Sequence, residues 1–295
     1  MELSVRKRIL KRYRKYLSLT FLVAFITLLS GCQNGILDPK GVIANDQRTM
    51  FFDALALMLI VVLPVIIMSF AFAFKYRQSR SRDKDYSPTW SHNSLLELLW
   101  WGIPTIIIII LGVMVWKQSH KLDPYRSLDV KGKPIVIQAI ALRWQWLFIY
   151  PKQNIATLNY VYMPMKRPVE FHITADAPMS SFIIPQLGGQ IYAMAGMRTR
   201  LHLYSSYSGV YEGLNSQYNG YGFSDMHFKA HVVTQNNFKN WVLKVKNDKS
   251  NHLGLSEYKL LQKPSIADGE EAFSSVMPNL FKSVMMVYMK NKPLN

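Results

Sequence analysis

Cysteine is almost absent: Cys32 is the only one in 295 residues. A lone thiol excludes an intrachain disulfide, a Cys-rich zinc site and an iron–sulfur cluster, so any metal chemistry would rest on His, Met and carboxylates. Acidic residues are scarce too, 18 Asp and Glu against 35 Lys and Arg. That surplus raises nucleic acid or an anionic surface as possible partners. Disorder is excluded by abundance elsewhere, with 49% hydrophobic and 13% aromatic positions, and the length suits one ordinary domain plus something else.

The hydrophobic positions are unevenly spread. Seven basic residues between Arg6 and Lys15 precede an apolar run, 17–29, that closes on Leu29-Ser30-Gly31-Cys32. A charged start, a short apolar stretch and small residues before a cut are the parts of a secretory signal peptide, expected over 1–31. The run is too short to span a bilayer comfortably. Leu-Ser-Gly-Cys resembles the bacterial lipobox, which would make Cys32 the lipidated first residue of the mature chain. The alternative is a buried free thiol at the end of an N-terminal anchor.

Two further runs, 54–74 and 98–116, reach membrane-spanning length. They predict an outer segment 32–50, spans at 51–74 and 96–117, and a loop 75–95 between them. The first half of that loop, 75–85, has five basic residues against two acidic, so the positive-inside rule places it in the cytoplasm of a bacterial inner membrane. Everything after Trp116 then lies outside. From Lys117 onward there are 21 Lys and Arg against 11 Asp and Glu, a net of +10. An exported domain makes nucleic acid a poor partner, leaving anionic lipid or simple solubility to explain the charge.

The outer part, 126–234, reads as β. Segments 134–142, 144–150, 168–174, 198–204 and 226–233 are rich in β-branched and aromatic residues, and Val169, Phe171 and Ile173 alternate with Glu170, His172 and Thr174. Tyr150-Pro151, Ala177-Pro178, Gly188-Gly189, Ser208-Gly209 and Asn219-Gly220 mark turns. Short strands at this spacing predict a Greek-key sandwich of ~100 residues. Beyond it, 235–295 reads as an aromatic-rich extension of a few short helices, broken at Pro264 and Pro278. His172 and His202 alternate with apolar neighbours and are expected to face solvent. His227 and His231, four apart on a strand, would stand ~13 Å apart and cannot share a metal. Asp53 is expected at the start of the first membrane helix, where a carboxylate stabilises the dipole.

Particular residues now point to a family. Trp144-Gln145-Trp146 before Phe148-Ile149-Tyr150-Pro151, Ser181-Phe182-Ile183-Ile184-Pro185, and Ala195-Gly196-Met197 leading to Gly209-Val210-Tyr211-Glu212-Gly213 resemble subunit II of the heme-copper respiratory oxidases. The resemblance runs from Gly31 onward and implies a two-helix transmembrane hairpin followed by a cupredoxin-like sandwich. In the cytochrome c oxidases of that family, two loops of the sandwich carry a dinuclear copper site, CuA. Laid on this chain, its first His falls on Ser180, its two Cys on Asn215 and Asn219, its Glu on Gln217, its second His on Phe223 and its Met on Met226. Only the methionine survives. A dinuclear copper site needs bridging thiolates and imidazoles, which amides and a phenyl ring cannot replace.

Loss of CuA marks the quinol oxidases, and the lipobox with Ile191-Tyr192-Ala193-Met194-Ala195-Gly196-Met197 is most similar to their cytochrome bo-type branch. That implies a subunit that binds no cofactor itself, within a proton-pumping complex that oxidises ubiquinol and reduces oxygen to water. Hemes and a copper would sit in subunit I; subunits III and IV and membrane lipid would be further partners. Cytochrome c is not an expected partner, since a domain of net +10 is a poor surface for a basic protein. In the family, the glutamate matching Glu97 lies at the cytoplasmic mouth of a proton-uptake channel. The plainer account of Glu97 is snorkelling beside Trp100 and Trp101 at the interface. Two rival readings stand beside this one: a CuA-bearing subunit, and a stand-alone lipoprotein using an empty cupredoxin sandwich to bind something.

Overall fold

A computed structural model describes residues 35–77, 92–130, 132–248, 251–266 and 269–290, together with Thr20. Cys32 and the expected signal segment apart from Thr20 lie outside the described residues, as does most of the loop between the two long helices.

Helix α1 spans Val42–Lys75 and α2 spans Ser94–Lys121. Both present almost wholly apolar, exposed surfaces and are long and apolar enough to cross a membrane. At 1.5 Å per residue, 34 residues run ~50 Å, well beyond the ~30 Å of hydrocarbon. The excess lies at the N-terminus, where the sequence reading began the span nine residues later, at position 51.

The early start has a physical cause: the first turn of α1 is a docking turn. Ile43 and Ala44 are buried, the Ala44 N–H donates to the Leu187 carbonyl (3.3 Å), and Gly41 bridges Ser205. A Cβ on Gly41 would meet the Tyr204 carbonyl at 2.6 Å, so the close approach requires glycine. Asp53 therefore lies inside the helix rather than at its positive end, and the expectation that it serves the dipole is corrected. Lys121, at the end of α2, returns to pair with Asp46 of α1 at 2.8 Å.

The sandwich holds two sheets. Strands β1 (Ile135–Ala141), β2 (Trp146–Tyr150), β3 (Ile155–Leu158), β5 (Val169–Ala175), β8 (Thr199–Leu203) and β12 (Glu271–Phe273) form one, ordered β12-β3-β2-β1-β5-β8. Strands β4 (Tyr160–Pro164), β6 (Ser180–Ile183), β7 (Gln190–Ala193), β9 (Gly209–Asn215) and β10 (His227–Val233) form the other, ordered β4-β10-β9-β6-β7. Pairing is antiparallel except for β1 with β5 and β10 with β4. Trp146, Phe148, Phe171, Phe182 and Phe228 pack edge-on, tilted or stacked between the sheets, with centroids 5.0–6.3 Å apart.

The tail completes the fold. Helices α3 (Gln235–Asn247), α4 (Leu255–Leu261) and α5 (Leu280–Lys290) match the helical expectation. Three short strands do not: β12 extends the larger sheet, and β11 (His252–Leu253) pairs with β13 (Ser275–Val276). Leu253, Tyr258, Phe273, Val276, Leu280, Phe281 and Val284 build a second core on the outer face of β1–β3, against Ile140, Leu147 and Ile149. Strand β2 is thus covered on both faces, which is why 146–150 reads as an unbroken apolar run instead of an alternating one.

Candidate functional site

Four of the six positions expected to mark a lost copper site come together at one end of the smaller sheet. Ser180 opens β6 and Asn215 closes β9; Asn219 and Met226 lie on the loop that runs from β9 to β10. Asn215 is clamped in place: its Oδ1 accepts the Ser181 N–H (2.8 Å) and the Gln217 N–H (3.0 Å), and its Nδ2 donates to the Gln217 carbonyl (2.8 Å). Asn219 Nδ2 donates to Ser180 Oγ (2.9 Å) and Met226 Sδ (3.2 Å), while Ser180 Oγ donates to the Pro178 carbonyl (3.2 Å). Ser180, Ser181, Asn215 and Met226 are buried. Gln217 takes part through its backbone. Phe223 turns its ring to Tyr218, centroids 5.6 Å apart, and is half-buried.

Trp144 covers the loop. It sits at φ 68, and a Cβ on Gly222 would lie 2.5 Å from its indole, so the β1–β2 turn and the β9–β10 loop pack as one unit. Chemically, the donors are a hydroxyl, neutral amides and one thioether. They do not fit a dinuclear copper centre, and most of their hydrogen-bonding capacity is spent on each other and on backbone groups, the buried Asn219 Oδ1 alone among them having no partner within the described residues. The loops are closed by hydrogen bonds, each contributing roughly 1 kcal/mol net.

Glu97 lies in the first turn of α2, whose N-cap Asn93 accepts the Leu96 N–H through Oδ1 (3.1 Å). The sequence reading missed its partner: His92 Nδ1 stands 2.7 Å from Glu97 Oε1, and His92 Nε2 is 3.2 Å from Ser94 Oγ. A histidine upstream of an acidic first helical turn was the available signal.

A second unforeseen centre is Asp176, in the loop after β5. Its Oδ2 accepts from Tyr258 Oη (2.6 Å) and Gln262 Nε2 (2.7 Å), and its Oδ1 from Tyr288 Oη (2.7 Å). These bonds tie α4 and α5 to the sandwich. Burial first, then the Asp176 carboxylate, push both phenols up, Tyr288 to about 12 and Tyr258 further, so both remain donors at any physiological pH. No sequence signal marks this cluster, because its members are 82, 86 and 112 residues away from Asp176.

The histidines divide. His202 is buried, with Nδ1 3.1 Å from the Pro124 carbonyl, so the expectation that it faces solvent is corrected: the segment after α2 covers it. His172 is half-buried against Glu170 at 2.8 Å. His231 stacks on Tyr162 at 4.6 Å, and Tyr162 stacks on Trp241 at 4.3 Å. Among the described residues no cluster of three His, Cys, Asp or Glu side chains is placed to hold a metal.

Comparison with known proteins bears on this arrangement. Residues 35–117 match the family model described as cytochrome c oxidase subunit II, transmembrane domain; 150–235 match its periplasmic domain, and 248–292 match the COX aromatic-rich motif. The chain is 48% identical over 261 residues to cytochrome bo(3) ubiquinol oxidase subunit 2 of Pseudomonas aeruginosa, covering 88% of this chain and 78% of that one. The chain belongs to the ubiquinol oxidase subunit 2 family. Similarity extends to quinol oxidase subunit 2 of Bacillus subtilis, 36% identical over 90% of this chain and 82% of that one. Among solved structures, the periplasmic domain of subunit II of cytochrome oxidase from Bradyrhizobium japonicum aligns at 20% identity and TM-score 0.38, covering 40% of this chain and 97% of that one. The aromatic-rich motif of this ubiquinol oxidase subunit 2 family member coincides with the segment that builds the second core and latches onto Asp176.

Proposed function

We propose that this chain is the copper-free second subunit of a membrane-bound terminal quinol oxidase, in which ubiquinol is oxidised and oxygen reduced to water. The observation that carries this reading is the closed Ser180–Asn215–Asn219–Met226 network, which offers one soft donor where a copper relay needs several. Electrons would then pass from quinol directly to the hemes and copper of subunit I. This chain contributes no redox group. Its two membrane helices dock on subunit I and its sandwich shields the outer face of that subunit; subunits III and IV complete the assembly, and the complex moves protons outward.

In the same reading, Cys32 is lipidated and holds the mature start at the membrane, where each buried methylene contributes about 0.8 kcal/mol. Glu97, paired with His92, gathers protons at the cytoplasmic surface for subunit I; the short contact between a carboxylate and an exposed imidazole supports a proton-exchanging pair. The test is purification in mild detergent through a tag on this chain. Co-purification of a heme-bearing polytopic subunit with quinol-dependent oxygen uptake is expected. Recovery of this chain alone, without hemes, would favour a stand-alone lipoprotein module.

A further inference from the structure

The end of the sandwich that carries the membrane helices also carries a basic groove. The strand registers fix its position. Ile135 pairs with Val169 and Val169 with Leu203, Gly41 bridges Ser205, and the His202 ring meets the carbonyl of Pro124 just beyond α2. The starts of β1 and β5, the end of β8, the first residues of α1 and the chain leaving α2 therefore share one end. Lys133 immediately precedes β1, and Arg167 precedes β5. Lys152 lies in the β2–β3 turn, which the antiparallel pairing of Gln138 with Ile149 returns to this end, and Lys239 lies early in α3.

These four cations line a groove of about 570 Å³ whose apolar surface comes from residues such as Ile135, Phe238, Val242 and Leu243. Among the described residues no carboxylate lines it. Arg167 is held in place by its Nε donating to the Lys133 carbonyl at 3.0 Å, while the three lysines are exposed. Cations around an apolar floor fit an amphiphile with a phosphate and adjoining carbon chains better than a bare anion, which would gain nothing from the floor.

The height puts this end of the sandwich within the field of the headgroup layer. From Gly41 to Phe51, where the exposed apolar face of α1 begins, is ten residues, or ~15 Å of helix. The headgroup layer occupies roughly the first 5–8 Å above the hydrocarbon, and its field reaches a further ~8 Å at physiological salt.

We propose that this groove holds the phosphate headgroup of an anionic phospholipid from the leaflet on which the sandwich stands, so that lipid fixes the domain's pose above the membrane. The inference rests on the reading of the chain as a membrane-anchored oxidase subunit. It is tested on the full-length chain within its purified complex, reconstituted in phosphatidylcholine nanodiscs containing a minor fraction of phosphatidylglycerol with a photoreactive headgroup. Cross-links are expected in peptides covering 133–136 and 235–243, falling at least tenfold in K133Q/K152Q/K239Q, whose exposed lysines leave the fold intact, and persisting in K244Q/K246Q, which lies outside the groove. Equal labelling of the triple variant, or equal labelling by photoreactive phosphatidylcholine, overturns the proposal. So does displacement by millimolar inorganic phosphate at constant ionic strength, which would assign a soluble-anion site. Quinol-driven oxygen uptake in the same samples reports separately on the subunit reading.

Discussion

Replacing Asp176 with alanine withdraws one acceptor from three donors at once, and the structure sets the size of the effect. Tyr258 is fully buried, so its hydroxyl loses a 2.6 Å bond to a charged acceptor; that costs about 2–3 kcal/mol. Tyr288 is 44% exposed and Gln262 half-buried, so both rebind solvent and forfeit about 0.5–1 kcal/mol each. The expected destabilisation is about 3–5 kcal/mol, or roughly 10 °C in Tm at ~2–4 °C per kcal/mol. Thermal melts of the detergent-purified chain read the shift, and limited proteolysis after α4 reads detachment of the tail. A graded series checks the origin: Tyr288→Phe is expected to cost below about 1 kcal/mol, and Tyr258→Phe more. A loss below about 1 kcal/mol for Asp176→Ala, or one no larger than that of Tyr288→Phe, would refute the latch.

Asn215→Ala removes three hydrogen bonds and strands the buried Ser181 N–H, so it is expected to cost about 2–3 kcal/mol in the same melts, while Gln217→Ala, whose part is played by its backbone, costs little. Burial lowers the pKa of His231 below 6.5 despite the opposing pull of Glu270. The unfolded chain then binds more protons than the folded one just below pH 6.5, so this contribution to stability is complete above 6.5 and declines as pH falls toward the folded value; His231→Gln should flatten that slope, and an unchanged slope counts against it. Glu97→Ala is expected to slow quinol-driven oxygen uptake several-fold in the assembled complex, and undiminished turnover at every pH would end its proton-uptake role.

What could be read from the sequence followed the scale of the interactions involved. The two membrane helices and the five strongest strands are coded by runs of apolar or alternating residues, so their existence was legible. The first turn of α1 was not, because Gly41, Ile43 and Ala44 are ordered by Leu187 and Ser205, far along the chain. Strands of two or three residues, such as β11, β12 and β13, carry no periodicity to detect and exist because the tail finds an uncovered sheet face. His202 alternates like a surface residue, yet the segment after α2 covers it. The positions expected to match copper ligands could be named one by one, since their hydroxyl, amide, phenyl and thioether groups are written in the sequence. Their replacement by a hydrogen-bonded clip needed coordinates, as did the His92–Glu97 contact.

The claim at the centre is that no electron crosses this sandwich. Its most direct test compares oxygen uptake by the tag-purified complex driven by ubiquinol with uptake driven by reduced cytochrome c. Uptake with the quinol, and a negligible rate with cytochrome c, is the predicted result. A cytochrome c rate matching the quinol rate, accompanied by the mixed-valence spectroscopic signature of a dinuclear copper centre in this chain, would contradict it.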